Sequence, residues 1–364
     1  MLGCVDMRLA SAVARTGAIG GMPCSGMSAE RLRCLLREHA GEAVCFNFFC
    51  HEPPPPESAS VSPAWMAELG GYFAEEGIAD PAAGVRRRLE AQVSTAFSVA
   101  QLEVLLEARS WWTGPLLVSF HFGLPPEPLW RRVRAAADPA LCVCCSATTV
   151  AEAVYLRDRG VDVVVCQGAE AGGHRGLFLA TSGGSGSGSG SSDVELQLGT
   201  FALVPQVRAA LGPSACLVAA GGIVDAATAR AALVLGADAV QVGTSFLRTV
   251  EATTSPVHRR ALADAARSQA PVSCITNILS GRPARGLRNR LMAELGAMRG
   301  DAPPYPRCQP YLAELREAAE AAGRGDYSQL WAGQNLSGCA GDDDDNATTA
   351  ADKVREIAAA FRVV

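Results

Sequence analysis

The chain has 364 residues, enough for two average domains or for one α/β barrel with an added lobe. Hydrophobic residues make up 49% and charged residues 19%, below the roughly 25% charge of an average soluble domain, which excludes wholesale disorder. A formal net charge of −5 offers no basic surface to collect phosphate backbones, so nucleic acid is excluded as an expected partner.

A helix-like segment, Leu9 to Ala14, comes first, where a strand would be expected to precede it. Ala18–Gly20, Val44–Phe48 and Leu116–Phe120 read as short strands, separated by helical patterns around Ser28–Glu38 and Gln101–Glu107. Between them His51 to Pro63, with four consecutive prolines, reads as a stiff extended connection. Leu141–Cys145 is a strand, Thr149 caps a helix through Ala151, Val154 and Leu156, Gly160 stops it, and Val161–Cys166 is the next strand. A flexible Gly/Ser tract follows at Gly183–Ser192. The unit then repeats: strand Cys216–Ala220, a turn at Gly221 and Gly222, an Asp225-capped helix through Ala229, Ala232 and Val234, Gly236, and strand Ala239–Val242.

Strands this apolar belong to a parallel sheet. Eight such units would close a (β/α)8 TIM-type barrel, and seven leave it without its first strand. The expected layout is therefore a barrel over residues 1–254, a small helical substrate lobe without strands over 255–338, an Asp-rich loop at Gly341–Thr349, and a C-terminal helix over 350–364 that returns to the barrel.

No membrane span is expected, because the most apolar stretch, Cys216 to Val242, is broken by Asp225, Arg230, Asp238 and glycines. The first ten residues, interrupted by Asp6 and Arg8, do not read as a secretory signal, so a cytoplasmic location is expected. Thirteen cysteines, an odd number in a long chain, suggest neither a disulfide framework nor a metal site. Cys142, Cys144 and Cys145 read as small buried hydrophobes. The sequons at Asn335 and Asn346 read as chance matches.

In a βα barrel the residues that follow each strand form the active-site face. After Cys166 comes Gln167-Gly-Ala-Glu-Ala-Gly-Gly-His174-Arg-Gly. Its glycines, Gly172 and Gly173 among them, let the backbone approach a ligand, and His174 can exchange protons near neutral pH. Gly221 and Gly222 after one strand, and Gln241-Val242-Gly243-Thr244 after the next, present backbone N–H groups where such barrels hold a phosphate. A phosphate-bearing cofactor is the expectation. Asn47, at the end of its strand, is a candidate for a cofactor ring or a cap, and His121 for the pocket or the core. His39, His51 and His258 are expected at the surface.

The string Val163 to Gly176, with Ala219 to Ile223, Gln241 to Glu251, Val118 to Pro125, Ser280 to Asn289 and Trp331 to Gln334, resembles the nitronate monooxygenase family over nearly the whole chain. The resemblance implies an FMN-dependent barrel enzyme that oxidises alkyl nitronates, and nitroalkanes as a further class, with O2 to a carbonyl compound and nitrite. It implies FMN contacts at Asn47, Gln167, Gly172, Gly221 and Gly222, a phosphate cradle completed by Gln241 to Thr244, and His174 as the catalytic residue beside the flavin. A homodimer is compatible with it. Glu170 and Arg175 flank the histidine and are read as orienting it or lying at the surface. The family opens on a strand whose Pro-Met-Ala/Gly turn touches FMN, and nothing before Met7 matches that strand, which leaves two expected sheet edges. Two other readings stand beside it: a flavin-dependent enoyl-acyl carrier protein reductase using NADH, and a non-catalytic barrel that has lost FMN.

Overall fold

The computed structural model describes residues 3–136, 141–179, 194–268, 270, 272–340 and 348–361. The Gly/Ser tract expected at 183–192, residues 341–347 of the expected Asp-rich loop and residues 362–364 of the expected C-terminal helix lie outside them.

Seven parallel strands form one sheet in chain order: β1 (Gly20–Pro23), β2 (Val44–Phe49), β3 (Leu116–His121), β4 (Leu141–Ala147), β5 (Val163–Gln167), then, beyond a two-residue strand β6 (Gly173–His174) that pairs elsewhere, β7 (Cys216–Ala220) and β8 (Ala239–Gln241). Side chains alternate along β2 and β3 between a fully buried outer face, Phe46, Phe48, Val118 and Phe120 among them, and a half-buried inner face carrying Asn47, Ser119 and His121. The outer face packs under helices α1 (Met7–Ala14), α2 (Ala29–Glu38), α5 (Val99–Ala108), α6 (Glu127–Ala136), α7 (Val150–Asp158), α8 (Thr200–Leu211) and α9 (Ala226–Val234), numbered with α3 (Pro63–Glu75) and α4 (Pro81–Glu90) between. The expected caps are in place: Thr149 accepts the Glu152 amide, and Asp225 and Thr228 form a reciprocal capping box.

The architecture is a TIM-type barrel lacking one strand, with β1 and β8 as its outer strands. Both are short, and β1 ends in proline, which limits edge pairing. Helix α1 lies tight against β1, where a Cβ at Gly20 would stand 2.1 Å from the Ala10 carbonyl oxygen. Its other side packs Leu9 against Ala252 and Ala350, so it also touches the chain beyond β8 and the start of α13 (Ala350–Ala358).

The region after β8 holds helices α10 (Pro256–Arg267), α11 (Arg290–Leu295) and α12 (Cys308–Ala321), but it is not free of strands. β9 (Ser273–Thr276) and β10 (Ala284–Leu287) pair antiparallel, and β10 also pairs with β6. These strands are four residues long and lack sustained alternation, so periodicity does not reveal them. The lobe core also draws on Trp65, Leu69 and Phe73 of α3 and Val85 and Leu89 of α4, packed against Ile278, Tyr311 and Leu315. The proline-rich connection is not wholly extended, since Pro56–Ala59 forms a 3-10 turn leading into α3.

Candidate active site

Two adjoining regions lie at the C-terminal ends of the strands. The first is a backbone-lined cradle. Past β7 the chain turns through Gly221 (φ +116°) and Gly222 (φ +73°), conformations that glycine alone adopts freely. Past β8 it runs through Gly243 into a 3-10 turn at Thr244–Phe246. These segments line a pocket with Gln167 and Gly172. The amides of Gly221, Gly222 and Gly243 donate to no protein acceptor among the described residues.

A segment far along the chain closes the cradle. The Gly333 amide donates to Thr244 Oγ1 at 2.9 Å, the Gln334 amide to the Glu170 carbonyl at 2.9 Å, and Asn335 Nδ2 to the Gly222 carbonyl at 3.0 Å. A Cβ at Gly172 would lie 2.5 Å from the Ala332 carbonyl carbon, so this approach requires glycine. The Glu170 carboxylate accepts the Thr200 amide at 2.8 Å and its hydroxyl at 3.0 Å, which directs its charge at the N-terminus of α8.

The second region is an aromatic chamber around His174. Its ring meets those of Phe49, Phe122, Tyr305 and Trp331 at centroid distances of 6.1, 5.7, 5.3 and 5.5 Å. His174 Nε2 is 3.0 Å from Ser280 Oγ, and the Ser280 hydroxyl donates to the Arg282 carbonyl. Ser280 must then accept the Nε2 proton, which assigns the lone pair to Nδ1. The His174 carbonyl accepts from Gln167 Nε2 at 3.0 Å and from His121 Nε2 at 3.1 Å. With Nε2 protonated, His121 Nδ1 accepts from Ser146 Oγ at 2.6 Å. Desolvation pulls His174 down to about 3, aided by repulsion from His121, Arg282 and His51. His121 falls to about 3 chiefly by desolvation as well. Both rings are neutral at pH 7.

Of the residues singled out in the sequence, Gln167, Gly172, Gly221, Gly222, Gln241, Gly243 and Thr244 line the cradle. Gly173 does not: it sits in β6, paired with Arg285. Val242 packs on the barrel core, and Asn47 lies on the inner face of β2, its amide donating to Ser119 Oγ at 2.8 Å. Two histidines expected at the surface are buried. His51 meets the Tyr305 ring edge-on at 4.9 Å, and His258 stands 3.8 Å from Cys4 Sγ. Arg175 is likewise buried, donating to the Gln197 side chain and the Gln167 carbonyl. Sequence reasoning missed Gly333 and Asn335 in the cradle and Phe49, Phe122, Ser280 and Tyr305 in the chamber. Of these, Phe122, Ser280 and Gly333 fall inside the stretches that carry the family resemblance. No group of three His, Cys, Asp or Glu among the described residues could hold a metal ion, and no helix there is long and apolar enough to cross a membrane.

A family model described as nitronate monooxygenase matches residues 68–341. A nitronate monooxygenase of Pseudomonas aeruginosa is 38% identical over 93% of this chain and 89% of its own length. A second, from Paraburkholderia phytofirmans, is 35% identical over 92% and 84%. Among solved structures, nitroalkane oxidase from Streptomyces ansochromogenes superposes with a TM-score of 0.76 at 30% identity, covering 99% of this chain and 93% of that one. FabK from Thermotoga maritima, with a TM-score of 0.65 and 22% identity, shares the fold. With a family match spanning most of the chain and relatives aligned over nearly all of it, the chain belongs to the nitronate monooxygenase family.

Proposed function

We propose that this protein is an FMN-dependent oxidoreductase that converts alkyl nitronates, with O2 as oxidant, to a carbonyl compound and nitrite. The observation that carries the reading is the link between the two regions: Gln167 lines the glycine cradle and at the same time holds the carbonyl of His174. Uncommitted amides at Gly221, Gly222 and Gly243 suit a phosphate group, and the absent Cβ at Gly172 lets the Ala332–Gly333 backbone close in as a wall of the cradle. The residues present fit the cofactor. Gln241 and Thr244 complete its cradle, and Gln167 there and Asn47 on the inner face of β2 each keep hydrogen-bonding capacity for its ring system beyond the bonds they make to Ser119, His174 and Gly176. When bound, the flavin supplies the redox centre between substrate and O2.

His174 positions the substrate and handles its proton. Its Nδ1 lone pair is the acceptor for an α-proton when a neutral nitroalkane binds. Desolvation makes that nitrogen a weak base, so the site favours substrates that arrive already deprotonated, namely nitronates. The rings of Phe49, Phe122, Tyr305 and Trp331 exclude water from the reacting carbon.

The experiment is a visible spectrum of the purified protein with and without FMN, then a nitronate titration in air with nitrite as readout. A flavin spectrum with nitrite release is the expected result. NADH consumption with a crotonyl thioester and no nitrite would replace this reading by that of a reductase. A folded protein that takes up no flavin would replace it by a non-catalytic one.

A further inference from the structure

The loop between β9 and β10 delivers two groups to the chamber. Ser280 holds His174, and two residues on, Arg282 lays its guanidinium over the Phe122 ring, with Cζ 4.0 Å from the centroid. Phe122 is the platform between them, 5.7 Å from the His174 ring on one side and under the cation on the other. It is the sole non-glycine residue with positive φ among the described residues, at +69°. A bulky residue held left-handed is strained, and such strain persists where the surroundings demand that one placement.

Arg282 is charged and largely enclosed, yet it is not paired. Its one protein hydrogen bond among the described residues runs from Nη2 to the Leu177 carbonyl, leaving Nε and Nη1 without a protein acceptor. Desolvation lowers it to about 10, still cationic at neutral pH. Of the carboxylates that act on it through space, buried Glu152 is spent: it accepts the Phe178, Leu179 and Thr148 amides and the Thr148 hydroxyl. Glu52 acts on it only through space. Enclosing an arginine without a counter-charge is costly, and the cost is recovered when an anion binds. A guanidinium prefers a planar anion with two oxygens, which its fork meets with two parallel hydrogen bonds.

The geometry points to Arg282 as the anion-recognition residue of the chamber, binding the planar O–N–O group of a nitronate and thereby selecting the anion over the neutral nitroalkane. This assignment rests on the nitronate-oxidising reading of the same site. It agrees with the weak basicity of His174: the chamber offers a fixed positive charge and little proton-abstracting power.

The test uses the flavin-loaded protein and isobutyrate, the unreactive carboxylate isostere of propane-2-nitronate, with calorimetric binding alongside steady-state kinetics. Arg282→Met keeps the stem on Phe122 and removes the charge. It should weaken isobutyrate binding and raise KM for propane-2-nitronate by roughly 10- to 100-fold, the worth of a charged hydrogen bond, with a smaller change for 2-nitropropane and no loss of flavin absorbance. Arg282→Lys, which keeps the charge but not the fork, should fall between. Unchanged KM and unchanged isobutyrate affinity in Arg282→Met would overturn the assignment while leaving nitronate oxidation intact. Should Arg282→Met not fold, wild-type values for both quantities in Arg282→Lys overturn it equally. Isobutyrate binding that depends on Arg282, in a protein that releases no nitrite from nitronates, would instead keep the anion site and remove the proposed reaction.

Discussion

The cradle and the chamber adjoin, yet they are built on opposite principles. The cradle is backbone: glycines at 172, 221, 222 and 243, open amides, and a carboxylate turned toward a helix end. The chamber is side chain: four rings, a neutral histidine and an unpaired guanidinium drawn from residues as distant as Phe49 and Trp331. The phosphate proposed for the cradle would be the same in every turnover and suits a rigid backbone mould, whereas selection among small organic substrates needs side-chain shape and charge.

The largest expected effect comes from filling the cradle. Gly172→Val places atoms within 2.5 Å of the Ala332 backbone, which cannot rotate away, so a loss of about 3 kcal/mol and of bound flavin is expected in urea unfolding and absorbance. A flavin-replete, undestabilised Gly172→Val protein would break the division between mould and chamber.

In the chamber, His174→Ala should retain flavin but lower turnover of neutral nitroalkanes by about 10²-fold, with a smaller effect on nitronates. Equal losses on both substrates, read from nitrite release, would show that the ring does more than take a proton.

Acid should act through the buried histidines, three of them at the chamber and a fourth, His258, lowered to about 4 by desolvation beside Cys4. His51, His121 and His174 have folded values of about 4, 3 and 3, against an ordinary 6.5, all lowered mainly by desolvation, and none belongs to the cradle. A histidine with a depressed folded value contributes stability that is complete above pH 6.5 and is lost as pH falls toward the folded value, because the unfolded chain takes up the proton first. The urea midpoint should therefore be flat above pH 7 and fall between pH 6.5 and 4. A midpoint that is level down to pH 4 would contradict the desolvated histidines.

Smaller still is Glu170→Ala, which removes the carboxylate at the start of α8. A cost of about 1 kcal/mol is expected, with weaker flavin retention because Ala171 and Gly172 lose their anchor. The smallest is Val242→Ala, about 1 kcal/mol or less with flavin affinity unchanged, since this side chain packs on the core and not in the cradle.

The same division explains what the sequence reveals. Six of the seven sheet strands are legible as compact apolar runs, several of them ended by glycine or a cap, as at Thr149 and Asp225, whereas β1 begins where the expected strand Ala18–Gly20 ends, because Ile19 is exposed and the Gly-Gly-Met-Pro run that pairs with β2 carries little apolar pattern. The cradle is legible for the same reason, being made of short local motifs. The chamber is not: Tyr305 and Phe49 carry no local sign of a role, and only folding brings them to His174. Gly173 and Val242 each stand one position from a cradle-lining residue, Gly173 paired with Arg285 in β6 and Val242 packed on the core. The lobe's strands are hidden because each is four residues long without sustained alternation, and one side of β10 is completed by β6, more than 100 residues earlier.

The segment Gly333 to Asn335 fastens the cradle through Thr244, Glu170 and Gly222, and it runs on directly from Trp331, which belongs to the lobe core. Undocking the lobe would carry off one wall of the cradle, so cofactor retention and lobe docking form a single linked equilibrium. A bound flavin would then act as a clasp on the tertiary structure, and the thermal transition of the lobe should rise with flavin concentration by ordinary mass action.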